Sequence, residues 1–301
     1  LIAPAAPIGV FDSGVGGLTV LRALRSAMPA ADFIYLGDTA RLPYGTKSPE
    51  TVLRYSLQCA GALIGRGIRC LVVACNTASS SSLDALRARY PGLPVIGVIE
   101  PGAQAAVRAS RSQRIAVIGT EGTIEGGAYQ SAIRRVNPDA VVIARACSLF
   151  VALAEEGLTE GPVAESVAHL YLAPIFDPGR DSARPVAGAG IAGSDSPPDT
   201  LVLGCTHFPA LEASIRAVLP AGVHIVDSAV TTAHAVVRRL ATSQHDPAMT
   251  PPRVAPTTAA PEAPSGRVQW LATDGAARFA RVGSRFLGEP LAPGAIEIVD
   301  L

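Results

Sequence analysis

The chain has 301 residues, with 29 Gly and 25 Pro in no repeating period; a collagen-like plan is excluded, and the length fits one or two domains. Lys and Arg number 25 and so do Asp and Glu, so nothing in the net charge points to nucleic acid, an anionic membrane surface or an acidic disordered tail. Apolar residues at 49% against 17% charged describe a soluble globule long enough to bury a core without staples.

In chain order, short β-rich apolar runs alternate with longer stretches of helical period. The first half predicts a strand at Ile8–Phe11, a helix at Leu18–Met28, a strand at Phe33–Leu36, a helix at Pro49–Arg66 and a strand at Cys70–Ala74. Helix Ser81–Tyr90, strand Val95–Val98, helix Pro101–Ala109, strand Ile115–Ile118 and helix Ile124–Val136 follow. Then come strands Val141–Ala144 and Leu201–Leu203, helix Pro209–Leu219, and strands His224–Val226, Val268–Leu271 and Ile296–Val299. Such alternation implies α/β architecture with doubly wound parallel sheets and ligands at the carboxyl ends of the strands; a single eight-unit barrel is the alternative. Residues 177–199 and 242–267, rich in Pro, Gly, Ala and Ser, read as mobile surface insertions outside the chemistry.

A faint internal echo divides the chain. Ile8-Gly-Val-Phe-Asp-Ser13 resembles Ile115-Ala-Val-Ile-Gly-Thr120, and Leu71-Val-Val-Ala-Cys-Asn-Thr77 resembles Leu201-Val-Leu-Gly-Cys-Thr206. Asp12 stands 63 residues before Cys75 and Gly119 stands 86 before Cys205; the difference of 23 is the length of the 177–199 segment. Two pseudo-symmetric halves are therefore expected, with a cysteine from each entering the cleft between them. The expected division places 1–99 and 210–301 in the first domain and 100–209 in the second.

Five cysteines without a CxxC pair argue against a disulfide framework or a zinc ribbon, and a reducing cytoplasm is the expected compartment. Leu1 to Pro7 lacks a basic leader region, and no apolar run reaches about 18 residues. Cys59, Cys70 and Cys147 read as core. Cys75 and Cys205 each sit just past a strand and before polar residues, where a helix N-terminus favours thiolate. The turn Phe11-Asp-Ser-Gly-Val-Gly-Gly17 fails the dinucleotide spacing, and Asp12 would repel a phosphate there. Asp12 suits an ammonium group or a thiol, or else it caps a helix. His207, two residues past Cys205, lacks further zinc ligands at usable spacing and better suits proton exchange with the thiol. Lys47 is the only lysine and lies in a polar loop, which disfavours pyridoxal phosphate.

Together these residues resemble the glutamate racemases of the cofactor-independent aspartate/glutamate racemase superfamily. The matching strings are Val10-Phe-Asp-Ser-Gly-Val-Gly-Gly17, Pro43-Tyr-Gly45, Ala74-Cys-Asn-Thr-Ala78, Gly119-Thr-Glu-Gly-Thr123, Leu153-Ala-Glu-Glu-Gly157 and Leu203-Gly-Cys-Thr-His-Phe-Pro209. The resemblance implies Cys75 and Cys205 as acid and base, Asp12 and Glu155 assisting Cys75, and His207 assisting Cys205. It implies that Ser13, Tyr44, Gly45, Asn76, Thr77, Thr120, Thr123 and Thr206 hold glutamate, with Asp12 and His207 also in reach of it. It further implies no cofactor or metal, and a role supplying D-glutamate for peptidoglycan; a homodimer is the expected assembly. One departure stands near Glu155: Cys147-Ser-Leu-Phe-Val-Ala152 replaces the family's Cys-Pro-Leu-Phe-Val-Pro.

Two thiols answer a geometric need. Inversion removes a proton from one face of carbon and delivers one to the other, and a single base tends to return its own. A carboxylate beside a thiol raises its pKa by Coulomb's law, so Asp12 and Glu155 would serve as proton acceptors or ammonium partners. Three other readings remain open: a racemase of aspartate or another acidic amino acid, a thiol hydrolase using Cys205 and His207, and a non-catalytic amino-acid-binding module.

Overall fold

The structure is a computed structural model that describes residues 6–177, 196–243 and 266–301. All ten predicted strands are present: β1 (Ile8–Asp12), β2 (Phe33–Gly37), β3 (Cys70–Val73), β4 (Val95–Gly97), β5 (Arg114–Gly119), β6 (Val141–Ala146), β7 (Thr200–Gly204), β8 (His224–Asp227), β9 (Val268–Ala272) and β10 (Ile296–Ile298). They form two wholly parallel sheets, a six-stranded one in the order β10-β9-β2-β1-β3-β4 and a four-stranded one in the order β6-β5-β7-β8. Two open sheets exclude the single barrel. Strands β1, β2, β3 and β7 are buried along their whole length, as continuous apolar runs covered on both faces require.

The helices are α1 (Leu18–Ala27), α2 (Pro49–Ile64), α3 (Asn76–Arg89), α4 (Ile99–Ala109), α5 (Glu121–Glu125), α6 (Ala128–Val136), α7 (Leu149–Glu156), α8 (Pro162–Phe176), α9 (Glu212–Val218), α10 (Ser228–Ser243) and α11 (Ala276–Leu287). Local chemistry sets their starts. Ser48 caps α2, its hydroxyl accepting from the Thr51 amide at 3.3 Å with Pro49 in the first turn; such a cap stabilises a helix by about 1 kcal/mol. The single helix expected over 124–136 is two, because Gly127 takes φ +63° between α5 and α6.

The internal echo corresponds to topology. In each sheet the first strand of the repeat in chain order lies between the second and third, so β2-β1-β3-β4 repeats as β6-β5-β7-β8. The echoed segments lie on β1 with β5 and on β3 with β7. In both sheets the strand order reverses between those two strands, and a crevice opens there at their carboxyl ends. The expected boundary at 209/210 needs correction: β8 pairs with β7, so the second sheet runs from 114 to 227 and does not end at 209. The break falls after β8 because a fourth strand completes the repeated order. Helix α4 carries the chain from β4 to β5, and α10 packs against α1 and α4 where the two halves meet. Most of the two expected insertions lies outside the described residues.

Candidate active site

Each predicted thiol sits just past the third strand of its sheet. Cys75 is the N-cap of α3, its Sγ accepting from the Ala78 amide at 3.4 Å. Cys205 follows β7 and precedes a 3-10 turn, Phe208–Leu211. Both line one cavity of about 40 Å³ together with Ser13, Tyr44, Gly45, Asn76, Thr77, Thr120, Glu155, Thr206 and His207. By that measure the space suits about three waters. Two predicted residues stand behind the wall: Asp12 and Thr123 are fully buried and do not line the cavity. Lys47 lines a separate cavity with Glu121 and Glu125.

The glycine turn after β1 does something the dinucleotide question did not anticipate. A Cβ on Gly16 would come within 2.6 Å of His207 Nδ1, so this position admits no side chain while the halves are closed. Gly17, rather than Asp12, is the N-cap of α1. Asp12 instead accepts from the Gly14 amide at 2.9 Å through Oδ2, while Oδ1 has no partner.

The two thiols differ electrostatically. Burial, then the charge of Asp12, pushes the Cys75 thiol up to about 12, against the Ala78 amide and Ser13. The helix N-terminus expected to favour its thiolate is thus outweighed. Burial likewise raises the Asp12 carboxyl above its ordinary range, opposed by His207 and the amides of Gly17, Gly14 and Ser13. On the other side His207 stands between Cys205 Sγ, 3.8 Å from Nδ1, and Glu155 Oε1, 3.2 Å from Nε2. Burial disfavours the imidazolium, but hydrogen bonds to Cys205 and Glu155 prevail and push it up to about 10. His207, in turn, is the main reason Glu155 lies below the usual carboxylate range despite its burial. Glu155 therefore touches the Cys205 relay, whereas the resemblance implied that it assists Cys75.

Hydroxyl and amide donors complete the cavity. Thr77, from the first half, meets Thr120 and Thr123, from the second, in a closed triangle with Oγ1 separations of 2.9, 3.1 and 3.0 Å. Asn76 Nδ2 is buried without a partner, while its Oδ1 accepts from the Tyr129 hydroxyl at 2.8 Å. An unmatched buried N–H₂ is costly unless a ligand accepts from it. Tyr129 comes from α6, across the cleft, and was not singled out in the sequence; nothing local in Ala128-Tyr-Gln-Ser131 marks it. Asp38 was also missed. Fully buried, it binds Arg41 Nε through both oxygens at 2.9 and 2.8 Å, Thr273 Oγ1 at 2.9 Å and the Tyr44 hydroxyl, and so fixes the loop carrying Tyr44 and Gly45. Among the described residues no group of three His, Cys, Asp or Glu side chains is placed to hold a metal ion, and no helix is long and apolar enough to cross a membrane.

A parallel-sheet pair with a thiol at each switch point defines a class, and sequence comparison agrees with it: the model of the Asp/Glu/hydantoin racemase family matches residues 8–236, and the chain belongs to that family. It is an isomerase, of a family that works without pyridoxal phosphate. Within the family its similarity is to glutamate racemases. That of Geobacter metallireducens is 47% identical over 288 residues, covering 96% of this chain and 95% of the relative. The crystal structure of the Francisella tularensis glutamate racemase in complex with D-glutamate has a TM-score of 0.80 at 32% identity, over 98% of this chain and 97% of that one. The Thermus thermophilus glutamate racemase in complex with β-chloro-D-alanine has a TM-score of 0.77 at 41% identity, over 99% and 98% of the two chains.

Proposed function

We propose that this chain interconverts L- and D-glutamate by a two-thiol mechanism without a cofactor, working in the cytoplasm as a homodimer and supplying D-glutamate for peptidoglycan. The observation that carries this reading is that Cys75 and Cys205, one from each half, line the same cavity. Cys205 as thiolate, beside the proton held on His207, takes the α-proton from one face and becomes a thiol. The electron pair left on carbon takes a proton from the Cys75 thiol on the other face, leaving Cys75 as thiolate; the reverse direction exchanges the roles.

The resting protonation supports that assignment, since Cys75 is held as a thiol by burial and by Asp12. Asp12, its carboxyl above the ordinary range, stands ready to exchange a proton with Cys75 between turnovers. The free amide of Asn76 and the hydroxyls of Thr77 and Thr120, backed by Thr123, are the donors for the substrate carboxylates, and water expelled by the bound substrate would strengthen each of these bonds as charge develops. Circular dichroism of L-glutamate incubated with the pure protein tests the reading. The signal should decay to zero without added cofactor; an unchanged signal, with aspartate racemised instead, would favour the other acidic amino acid.

A further inference from the structure

Helix α11 belongs to the first half, between β9 and β10, yet it grips the Cys205 relay of the second. Arg278 Nη2 donates to Glu155 Oε2 at 2.8 Å, while the other carboxylate oxygen meets His207. Seven residues on, and so on the same helix face, Arg285 Nη1 donates to the Glu155 carbonyl at 3.0 Å. That carbonyl is one of those a helix leaves unpaired in its last turn, and a cation there is favourable. Gly157, the C-cap of α7 at φ +79°, leaves room for it: a Cβ would stand 2.6 Å from Arg285 Nη1. Phe286 completes the grip, edge-on to the His207 ring at 5.1 Å.

We propose that Arg278 is a positioning residue for the Cys205 half of the reaction: by holding Oε2 of Glu155 it turns Oε1 onto His207, and it acts on only one of the two proton transfers. The inference rests on the two-thiol reading. Glu155 is only 15% exposed and its side chain has two equivalent oxygens; with one of them tied, rotation away from His207 is blocked. Arg278 itself is half exposed at 51%, so its removal should cost about fivefold in rate, the upper range for such pairs. Arg285 holds backbone and Phe286 holds a ring edge, so neither chooses between the carboxylate oxygens.

Rates alone cannot locate the defect. The enantiomers have equal free energy, so kcat/KM falls by the same factor in both directions for any variant. Isotope effects with α-deuterated L- and D-glutamate can locate it. In Cys205→Ser the effect should rise with one enantiomer, the one Cys205 deprotonates, and fall with the other; Cys75→Ser should give the mirror image. Arg278→Gln should follow Cys205→Ser in direction, Arg278→Lys should restore most of the wild-type pattern, and Arg285→Gln should leave the isotope effects alone. A mirror image between the serine variants, with Arg278→Gln shifting both enantiomers alike or neither, overturns the positioning role alone. Serine variants without the mirror image overturn the two-thiol reading, and the role of Arg278 with it.

Discussion

Cys75 and Cys205 occupy matching stations, each just past the third strand of a repeated four-strand order, yet their surroundings have little in common. Cys75 caps a 14-residue helix and feels the charge of the buried Asp12. Cys205 precedes a short 3-10 turn and faces an imidazole backed by a carboxylate and an arginine. A repeated topology thus supplies two thiols at one cavity, but it does not supply two equivalent acids. Burial and Asp12 keep the proton on Cys75; on the other side His207 holds a proton 3.8 Å from the Cys205 sulfur. One fold element placed twice matches the two-faced geometry that the proposed inversion needs, and the unlike neighbours make the two sides of the cavity distinguishable.

The sharpest way to break that comparison is to remove each sulfur in turn. Cys75→Ala and Cys205→Ala should each lower racemisation by about a thousandfold or more, with unchanged thermal unfolding midpoints within a few degrees. Exchange of the α-hydrogen in heavy water should separate them. Cys75→Ala retains Cys205 beside His207, the base of the proposed mechanism, and should exchange one enantiomer without inverting it. Cys205→Ala retains a thiol held at about 12 and should exchange the other enantiomer far more slowly. Equal exchange in the two variants would remove the asymmetry.

A smaller effect concerns pH. His207 is raised to about 10, so its cation persists through neutral pH and is lost as pH climbs past that value, and activity should fall with it. Glu155→Gln takes away a hydrogen-bonding anion that holds the proton there. It should therefore move the alkaline limb of kcat/KM to lower pH and lower the plateau by about tenfold to a hundredfold. Substrate ionisations are common to both enzymes, so the displacement reports on the protein; an unmoved limb would detach Glu155 from His207. Smallest is Tyr129→Phe, which frees the Asn76 amide to turn. Losing one hydrogen bond of about 1 kcal/mol should raise KM about fivefold, while an unchanged KM would mean Asn76 is held by other contacts.

Much of this was legible beforehand, for identifiable reasons. Buried parallel strands are continuous apolar runs, and all ten stand out between polar or glycine-bearing turns. Strand-end positions then singled out Cys75, Cys205 and Asp12. Helices were harder. In α8 the buried face is largely Ala164, Ala168, Leu172 and Ile175, with Pro174 inside the helix, so small residues and a breaker blur the period. In α11 Gly283 occupies a core position and weakens an otherwise clear stripe. Pairs across the cleft were legible only where the family strings carried them, as for Thr77 with Thr120 and Thr123. Tyr129 reaches Asn76 from 53 residues away and Arg278 reaches Glu155 from 123, and no local pattern encodes such pairs. The same blindness placed the domain boundary before β8, whose pairing with β7 is a tertiary fact.

The central claim, that two thiols act on opposite faces of one bound amino acid, is tested most directly by racemising L-glutamate in heavy water and stopping early. Separate acid and base predict D-glutamate carrying deuterium at the α-carbon while recovered L-glutamate still carries protium. Protium carried over into the D-product, or deuterium arriving in both enantiomers at the same early rate, would mean that one group serves both faces.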